Sequence, residues 1–347
     1  MKQQTFDHST PPTHPSHGTR TMRAIVQRTY GSADVLHIEE VARPTIGDGE
    51  VLIRVHAAGL DRGTWHFMTG LAYPIRLMSG LRTPKNPVLG LDLAGTVVAI
   101  GKAVTRFAVG DEVFGIGKGS FAEYACARED KLAPKPADLT FDQAAVGAVS
   151  GLTALQALCD VGRIEVGQHV LIVGASGGVG TFAVQIAKSL GAEVTGVCST
   201  GKTDLVRSLG ADHVIDYTKK DFADGSEHYD LIIDIGGNAS LSRLRRALTK
   251  RGTLVIVGGE DGGRFTGGMG RQLRAFALSP LVHQRLTMKT PKENFADLER
   301  LAQLIEVGQL SPSIEQSYPL HEVPDAMRHL AAGHARGKLV ISIPDVA

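Results

Sequence analysis

The chain has 347 residues, enough for two domains, with 43% hydrophobic and 21% charged residues, the balance of a globular protein. Thirty-seven Lys and Arg stand against 36 Asp and Glu, and no long basic run asks for nucleic acid or an anionic membrane. Three scattered cysteines, Cys126, Cys159 and Cys198, make neither a disulfide framework nor a metal site and fit reduced thiols in a cytoplasm.

Residues 1–21 are rich in His, Pro, Ser and Thr and are read as a disordered tail, neither a secretory signal nor a transit peptide. From Met22 to about Ala133 short β-type runs dominate, among them Ala24-Ile25-Val26, Val51 to Val55 and Leu93 to Ile100. Turn chemistry at Gly110-Asp111 and from Gly115 to Gly119 separates such runs, which predicts a small barrel or sandwich. Phe141 to Leu158 then reads as one helix, with apolar residues recurring at three and four.

Strands and helices alternate next. The strands are His169 to Val173, Glu193 to Val197, His213 to Ile215, Asp230 to Asp234 and Thr253 to Val257. Helices are expected at Val179 to Leu190, Lys202 to Leu209 and Leu241 to Leu248. Apolar strands alternating with helices predict a parallel sheet covered on both faces, an α/β doubly wound domain. Another strand is read at Leu286 to Lys289 and a helix from Asn294 to Val307. Ser311 to Ile343 returns to β-type runs and is expected to close onto the first barrel. The resulting division is 22–145 with 309–347 for the barrel domain and 146–308 for the inserted α/β domain. No apolar stretch reaches the roughly 18 residues of a membrane span.

The strongest local signal is Val173-Gly174-Ala175-Ser176-Gly177-Gly178-Val179-Gly180, after an apolar strand and opening a helix. Gly177 lets backbone approach a pyrophosphate, Gly180 lets helix and strand pack closely, and the helix N-terminus offers N–H groups to phosphates. Ala175 stands where the literal G-x-G-x-x-G has its first glycine. A carboxylate about 20 residues beyond the glycines would hold the ribose 2′-OH of NAD. Here the second strand instead runs into Cys198-Ser199-Thr200-Gly201-Lys202, whose hydroxyl and ammonium suit a 2′-phosphate. Tyr217, beyond the third strand, either closes over the adenine end or is an ordinary turn tyrosine.

Gly90 to Gly95, Val109 to Gly115, Ser120 to Tyr124, Gly174 to Gly180 and Leu209 to Tyr217 together resemble the medium-chain dehydrogenase/reductase superfamily, in its zinc-free quinone oxidoreductase-like branch. The resemblance spans about Met22 to Ile343. It implies a Rossmann domain inserted into a GroES-like barrel, with NADPH in the cleft between them. It places the pyrophosphate on Ser176, Gly177, Gly178, Val179 and Gly180, beside Ala175, and the 2′-phosphate near Ser199, Lys202 and Tyr217. The loops of Asn238 and Gly258 are implied on the nicotinamide ribose side, and Lys338 is implied at a C-terminal position that approaches the cofactor, with an exposed turn as the alternative. Asp61 and Leu91 stand at two ligand positions of the zinc enzymes, and a leucine cannot bind zinc.

Asp61-Arg62-Gly63-Thr64-Trp65 departs from the branch's Asn-x-x-Asp-Trp. Asp61 is expected either to face the ribose or a proton-donating water, or to cap a turn. Tyr73, in the long loop Leu71 to Pro87, is a candidate hydroxyl for the substrate oxygen. The glycine-rich stretch Gly258 to Gly270 is either a cover or a surface loop. The expected activity is NADPH-dependent, zinc-independent hydride transfer to an enone, quinone or related carbonyl compound by a cytoplasmic homodimer. The alternatives are a zinc-free alcohol/aldehyde oxidoreductase and a non-catalytic NADPH-binding interaction protein.

Overall fold

A computed structural model describes residues 20–259, 265, 269–290 and 292–343. The tail expectation for residues 1–19, and most of that for Gly258 to Gly270, therefore lies outside the described residues.

The first half is β-rich because its apolar residues alternate. Strands β1 (Thr21–Val26) and β2 (His37–Ala42) pair antiparallel. The spine of the barrel is β3 (Glu50–Leu60), whose first residues alternate between buried and half-buried. Strands β4 (Asp92–Ile100) and β6 (Tyr124–Arg128) both pair with it, and β5 (Glu112–Ile116) joins β4 to β7 (Leu132–Pro134).

Helix α1 (Arg62–Thr69) follows β3 and ends at Gly70, whose φ of 62° is left-handed. The expected long loop after it holds a turn at Tyr73–Ile75 and one helical turn, α2 (Arg76–Ser79).

The single helix expected over Phe141 to Leu158 is broken. It forms α3 (Phe141–Ala145), α4 (Ala148–Gln156) and a widened π turn at Ala157–Gly162. A capping box of Thr140 and Gln143 starts α3. The break has a tertiary cause: the Val149 N–H, in the first turn of α4, donates to Asp92 Oδ1 of β4 at 2.7 Å. No periodicity within 141–158 could register a partner 57 residues away.

The α/β unit runs β8 (His169–Val173), α5 (Gly178–Ser189), β9 (Glu193–Cys198), α6 (Thr203–Ser208) and β10 (His213–Asp216). It continues with β11 (Tyr229–Asp234), α7 (Leu241–Ala247), β12 (Leu248–Ile256), α8 (Met269–Leu278), β13 (Arg285–Met288) and α9 (Phe295–Glu306). The six strands lie parallel in the order β10-β9-β8-β11-β12-β13, the doubly wound arrangement of a Rossmann domain. Phe182, Leu152 and Leu301 pack on one face, and Leu244, Ala275 and Leu254 belong to the core of the other.

After β14 (Ile314–Pro319) comes helix α10 (Val323–Ala331), where only β-type runs were expected. Pro324 stands in its first turn, and Val323, Ala326 and Met327 bury its inner stripe at helical spacing. Then β15 (Lys338–Ser342) pairs antiparallel with β3, Leu339 opposite Leu60, and so returns the chain to the first barrel.

Candidate functional site

The carboxyl ends of the parallel strands meet the barrel at one seam, and the candidate residues gather there. Strand β8 runs into Gly174, at φ 90°, which brings the backbone within reach of the loop after β11. A Cβ on Gly180 would stand 2.1 Å from the Gly174 carbonyl oxygen, so helix α5 approaches its strand more closely than any side chain allows.

Gly177 is the N-cap of α5 and provides no side-chain cap. The first helical bond runs from the Thr181 N–H to the Gly177 carbonyl at 2.9 Å, which leaves the N–H groups of Gly178, Val179 and Gly180 ahead of it. These groups with the helix dipole make a cradle that fits a pyrophosphate. Ala175 is wholly buried, its N–H donating to the Val197 carbonyl, so it shapes the turn from beneath. Ser176 is also buried, and its carbonyl accepts from the Gly337 N–H at 2.9 Å, clipping the barrel's last strand to the glycine turn.

Next to that clip lies Lys338, 1% exposed and not on a surface turn. Its Nζ reaches Asp92 Oδ2 at 3.3 Å, and a Cβ on Gly178 would meet its Cδ at 2.8 Å. Asp92 is itself fully buried. Burial pushes its carboxyl up to about 7, against the pull of the Lys338 ammonium and with a further push from Asp61. A lone acid inside the apolar run Leu91 to Val98 was the sequence signal for this group, and it was not singled out.

Asp61 is the N-cap of α1. Its Oδ1 accepts from the Thr64 N–H at 2.8 Å and its Oδ2 from the Thr64 hydroxyl at 3.2 Å. Of the two roles expected for it, capping is the one these contacts perform. Tyr73 is 41% exposed, its ring edge-on to Phe265 at 5.6 Å and beneath the Arg76 guanidinium at 5.0 Å. Leu91 packs, half-buried, against the core, and among the described residues no three His, Cys, Asp or Glu side chains gather as a metal site.

At the end of β9, Lys202 Nζ donates to the Ala335 carbonyl at 2.8 Å, just before the Gly337 clip. Burial pulls its pKa down, and the nearby Arg336 cation pulls it down further against Glu315. Arg336 was not among the expected residues; its exposed place beside Lys202 comes only from the fold. Ser199 is half-buried at the same strand end, and Tyr217 is 57% exposed, its N–H donating to the Cys198 carbonyl. The acid beside them is Asp216 of β10. Hydrogen bonds from Thr200 and Thr218 hold it at about 2, and Lys219 lies 3.4 Å away.

On the other side of the switch point, Asp234 ends β11 fully buried, with Arg271 of α8 2.7 Å from its Oδ2. Burial pushes Asp234 up to about 6, opposed by Arg271. The same guanidinium donates to the Ala239 and Gly258 carbonyls at 2.8 Å each, so it ties the loop of Asn238 to the loop after β12. Asn238 itself is exposed. A Cβ on Gly258 would lie 1.9 Å from the Ile235 carbonyl oxygen, so the two loops touch by backbone. Neither Asp234 nor Arg271 was foreseen.

Comparison with known proteins agrees with this fold. Residues 47–137 match the alcohol dehydrogenase GroES-like domain and residues 209–341 the model described as zinc-binding dehydrogenase. The NAD(P)H oxidoreductase RTN4IP1, mitochondrial, of Mus musculus is 33% identical, with 93% of this chain and 89% of the relative covered. The chain belongs to the medium-chain dehydrogenase/reductase superfamily, in its zinc-free quinone oxidoreductase branch. The solved quinone oxidoreductase of Coxiella burnetii matches with a TM-score of 0.84 at 30% identity, covering 94% of this chain and 100% of that one. The 2-methylene-furan-3-one reductase of Solanum lycopersicum is 32% identical over 92% of this chain and 79% of its own. This member of the superfamily is an oxidoreductase that uses a nicotinamide cofactor.

Proposed function

We propose that this oxidoreductase uses NADPH, without zinc, to reduce enones, quinones or related conjugated carbonyl compounds. The observation that carries the reading is the cationic end of β9. Ser199 leads into Lys202, Arg336 stands beside it, and no acid occupies the strand end where NAD enzymes keep one. A dianion placed beside Lys202, whose ammonium is disfavoured by burial and by the neighbouring Arg336 cation, would stabilise it. Asp216, the acid on the neighbouring strand, is engaged by two threonine hydroxyls.

In this reading the first turn of α5, from Gly178 to Gly180, holds the pyrophosphate, and Ser199, Lys202, Arg336 and Tyr217 hold the 2′-phosphate. Bound there, NADPH would supply the hydride. The chain's own work is to orient and to polarise. Arg271 fixes the two glycine loops, of Asn238 and Gly258, on the nicotinamide side. Reduction of a conjugated carbonyl leaves negative charge on oxygen, which calls for a nearby donor, and in this reading the exposed Tyr73 hydroxyl is the candidate. Asp61 acts through α1, whose first turn it holds. Support for the substrate class comes from the tomato relative, whose named substrate carries a methylene conjugated to a ketone.

The test is cofactor affinity by fluorescence titration. NADPH should bind about tenfold more tightly than NADH, roughly 1.4 kcal/mol, and Lys202→Ala or Arg336→Ala should remove most of that gap. Equal binding of both cofactors by the wild type refutes the 2′-phosphate assignment. Oxidation of NADPH with a panel of enones, quinones and aldehydes, with chelator present, then tests the substrate class.

A further inference from the structure

Strand β14 carries one residue more than its partner. Ile314 pairs with Lys338 and Gln316 with Leu339, so Glu315 is the bulged residue between them. A bulge re-aims its side chain, and here it carries the Glu315 carboxylate to the loop before β15. Its Oε2 accepts the Arg336 N–H at 2.7 Å. One residue earlier, the Ala335 carbonyl accepts Lys202 Nζ at 2.8 Å. Burial disfavours the Lys202 ammonium, Glu315 supports it and Arg336 opposes it. One acid therefore stands beside both cations. It comes from the barrel, so the acid-free end of β9 gives no sign of it.

That acid has a titratable neighbour. His329 of α10 places Nε2 3.6 Å from Glu315 Oε2 and Nδ1 2.8 Å from the hydroxyl of the buried Tyr318. Burial and then Glu315 push the Tyr318 phenol up, so it keeps its proton. A hydroxyl donates to a bare Nδ1 and accepts from a protonated one, so this contact serves both charge states of the ring. Histidine is the side chain whose charge changes near neutral pH. The His329 and Glu315 side chains are 24% and 22% exposed, which limits the screening of one from the other. Other charges around the ring have partners of their own: on α10, Arg328 pairs with Asp325 and Asp34, and just before it Glu322 pairs with His321. From α1, Arg62 donates to the Leu330 carbonyl. His334, exposed on the loop of Ala335, is a second histidine at the same end of the site.

We propose, on the reading that Lys202 and Arg336 hold the 2′-phosphate, that Glu315 and His329 set how strongly this oxidoreductase prefers NADPH over NADH. An ionised Glu315 opposes the phosphate, and a protonated His329 cancels that opposition. The preference therefore widens as pH falls through the titration of His329 and narrows above it. NADH carries a hydroxyl in place of the phosphate, so its affinity stays level. His329 acts through Glu315 and is a positioning residue. Both work on cofactor affinity and leave the hydride transfer itself alone.

Fluorescence titration of the intact protein with NADPH and with NADH, at about pH 6.5 and about pH 8.5, reads the ratio of the two affinities. That ratio should be about threefold larger at the lower pH, the size of a partly exposed charge contact. Protonation of the 2′-phosphate itself, near pH 6, would narrow the ratio toward acid, opposite to this direction. Glu315→Gln keeps an oxygen for the Arg336 N–H and should raise the ratio at about pH 8.5 roughly threefold, by tightening NADPH alone. His329→Gln should hold the ratio at its alkaline value at both pH values, while His334→Gln leaves the pH dependence in place. A wild-type ratio that does not change with pH overturns the proposal. So does a Glu315→Gln ratio no higher than wild type, or a pH dependence that His334→Gln removes and His329→Gln keeps. Equal binding of NADPH and NADH at both pH values refutes the 2′-phosphate assignment and this proposal together, whereas a preference for NADPH that Glu315→Gln does not move refutes this proposal alone.

Discussion

Lys338→Met isolates a buried pair within the barrel, between β4 and β15, at the place where Asp92 also holds the Val149 N–H of α4. Asp92 keeps the Val149 N–H at 2.7 Å and loses the ammonium at 3.3 Å. Its carboxyl goes from 3.8 in the unfolded chain to about 7 in the fold, mainly through burial. A raised carboxyl stabilises the fold most below the unfolded value, and that contribution is lost as pH rises toward the folded value. Between those limits the wild type and the variant should lose stability together, at up to about 1.4 kcal/mol per pH unit. Above about 7 the wild-type carboxylate ionises against Lys338 and the loss levels off. In the variant nothing supports the charge and the loss continues. The gap should therefore reach about 3 kcal/mol two pH units higher, within the range for breaking one partner of a buried pair. Urea unfolding of both proteins at about pH 6 and about pH 9 measures it directly. Asp92→Asn with Lys338→Met should flatten the dependence, since neither charge is then buried. A gap equal at both pH values, or one that widens toward acid, refutes the reasoning.

Three further expectations concern single positions at the seam. Asp61→Asn keeps a capping side chain and should hold activity within about tenfold, whereas Asp61→Leu removes the cap and should cost roughly 0.5–2 kcal/mol in thermal unfolding. Gly180→Ala puts a Cβ 2.1 Å from a backbone carbonyl, so unfolding should show a loss of about 1–3 kcal/mol and NADPH titration a weaker fit. Arg271→Met unties the loops at Ala239 and Gly258 and leaves Asp234 buried without its cation. Cofactor affinity should fall, and stability should fall more steeply with rising pH, because the folded value of Asp234 already lies at about 6. Unchanged titrations for Arg271→Met would remove Arg271 from the positioning of those loops.

Much of this molecule was legible in the order of its residues. The parallel strands read as apolar runs because both their faces are buried, and the glycine turn after β8 was marked by composition and by the strand and helix that flank it. Asn294 announced the start of α9 through a local cap. Such features depend on neighbours a few positions away, which a sequence displays. Helix α10 was legible too, in Val323, Ala326 and Met327, but was passed over inside a region read as strand.

What only the tertiary structure decided lies at long range. Asp92 meets Lys338 across 246 positions, and Lys202 meets Ala335 across 133. Asp92 divides the helix expected over Phe141 to Leu158 by accepting the Val149 N–H. Arg271 gathers Asp234, Ala239 and Gly258, which no spacing connects. Arg336 becomes a partner of Lys202 only when β15 returns to the barrel. A buried charge costs free energy unless a distant group compensates it, and which group does so depends on the chain's path through space. The sequence therefore names the candidates for such a site, and the fold decides which of them face one another.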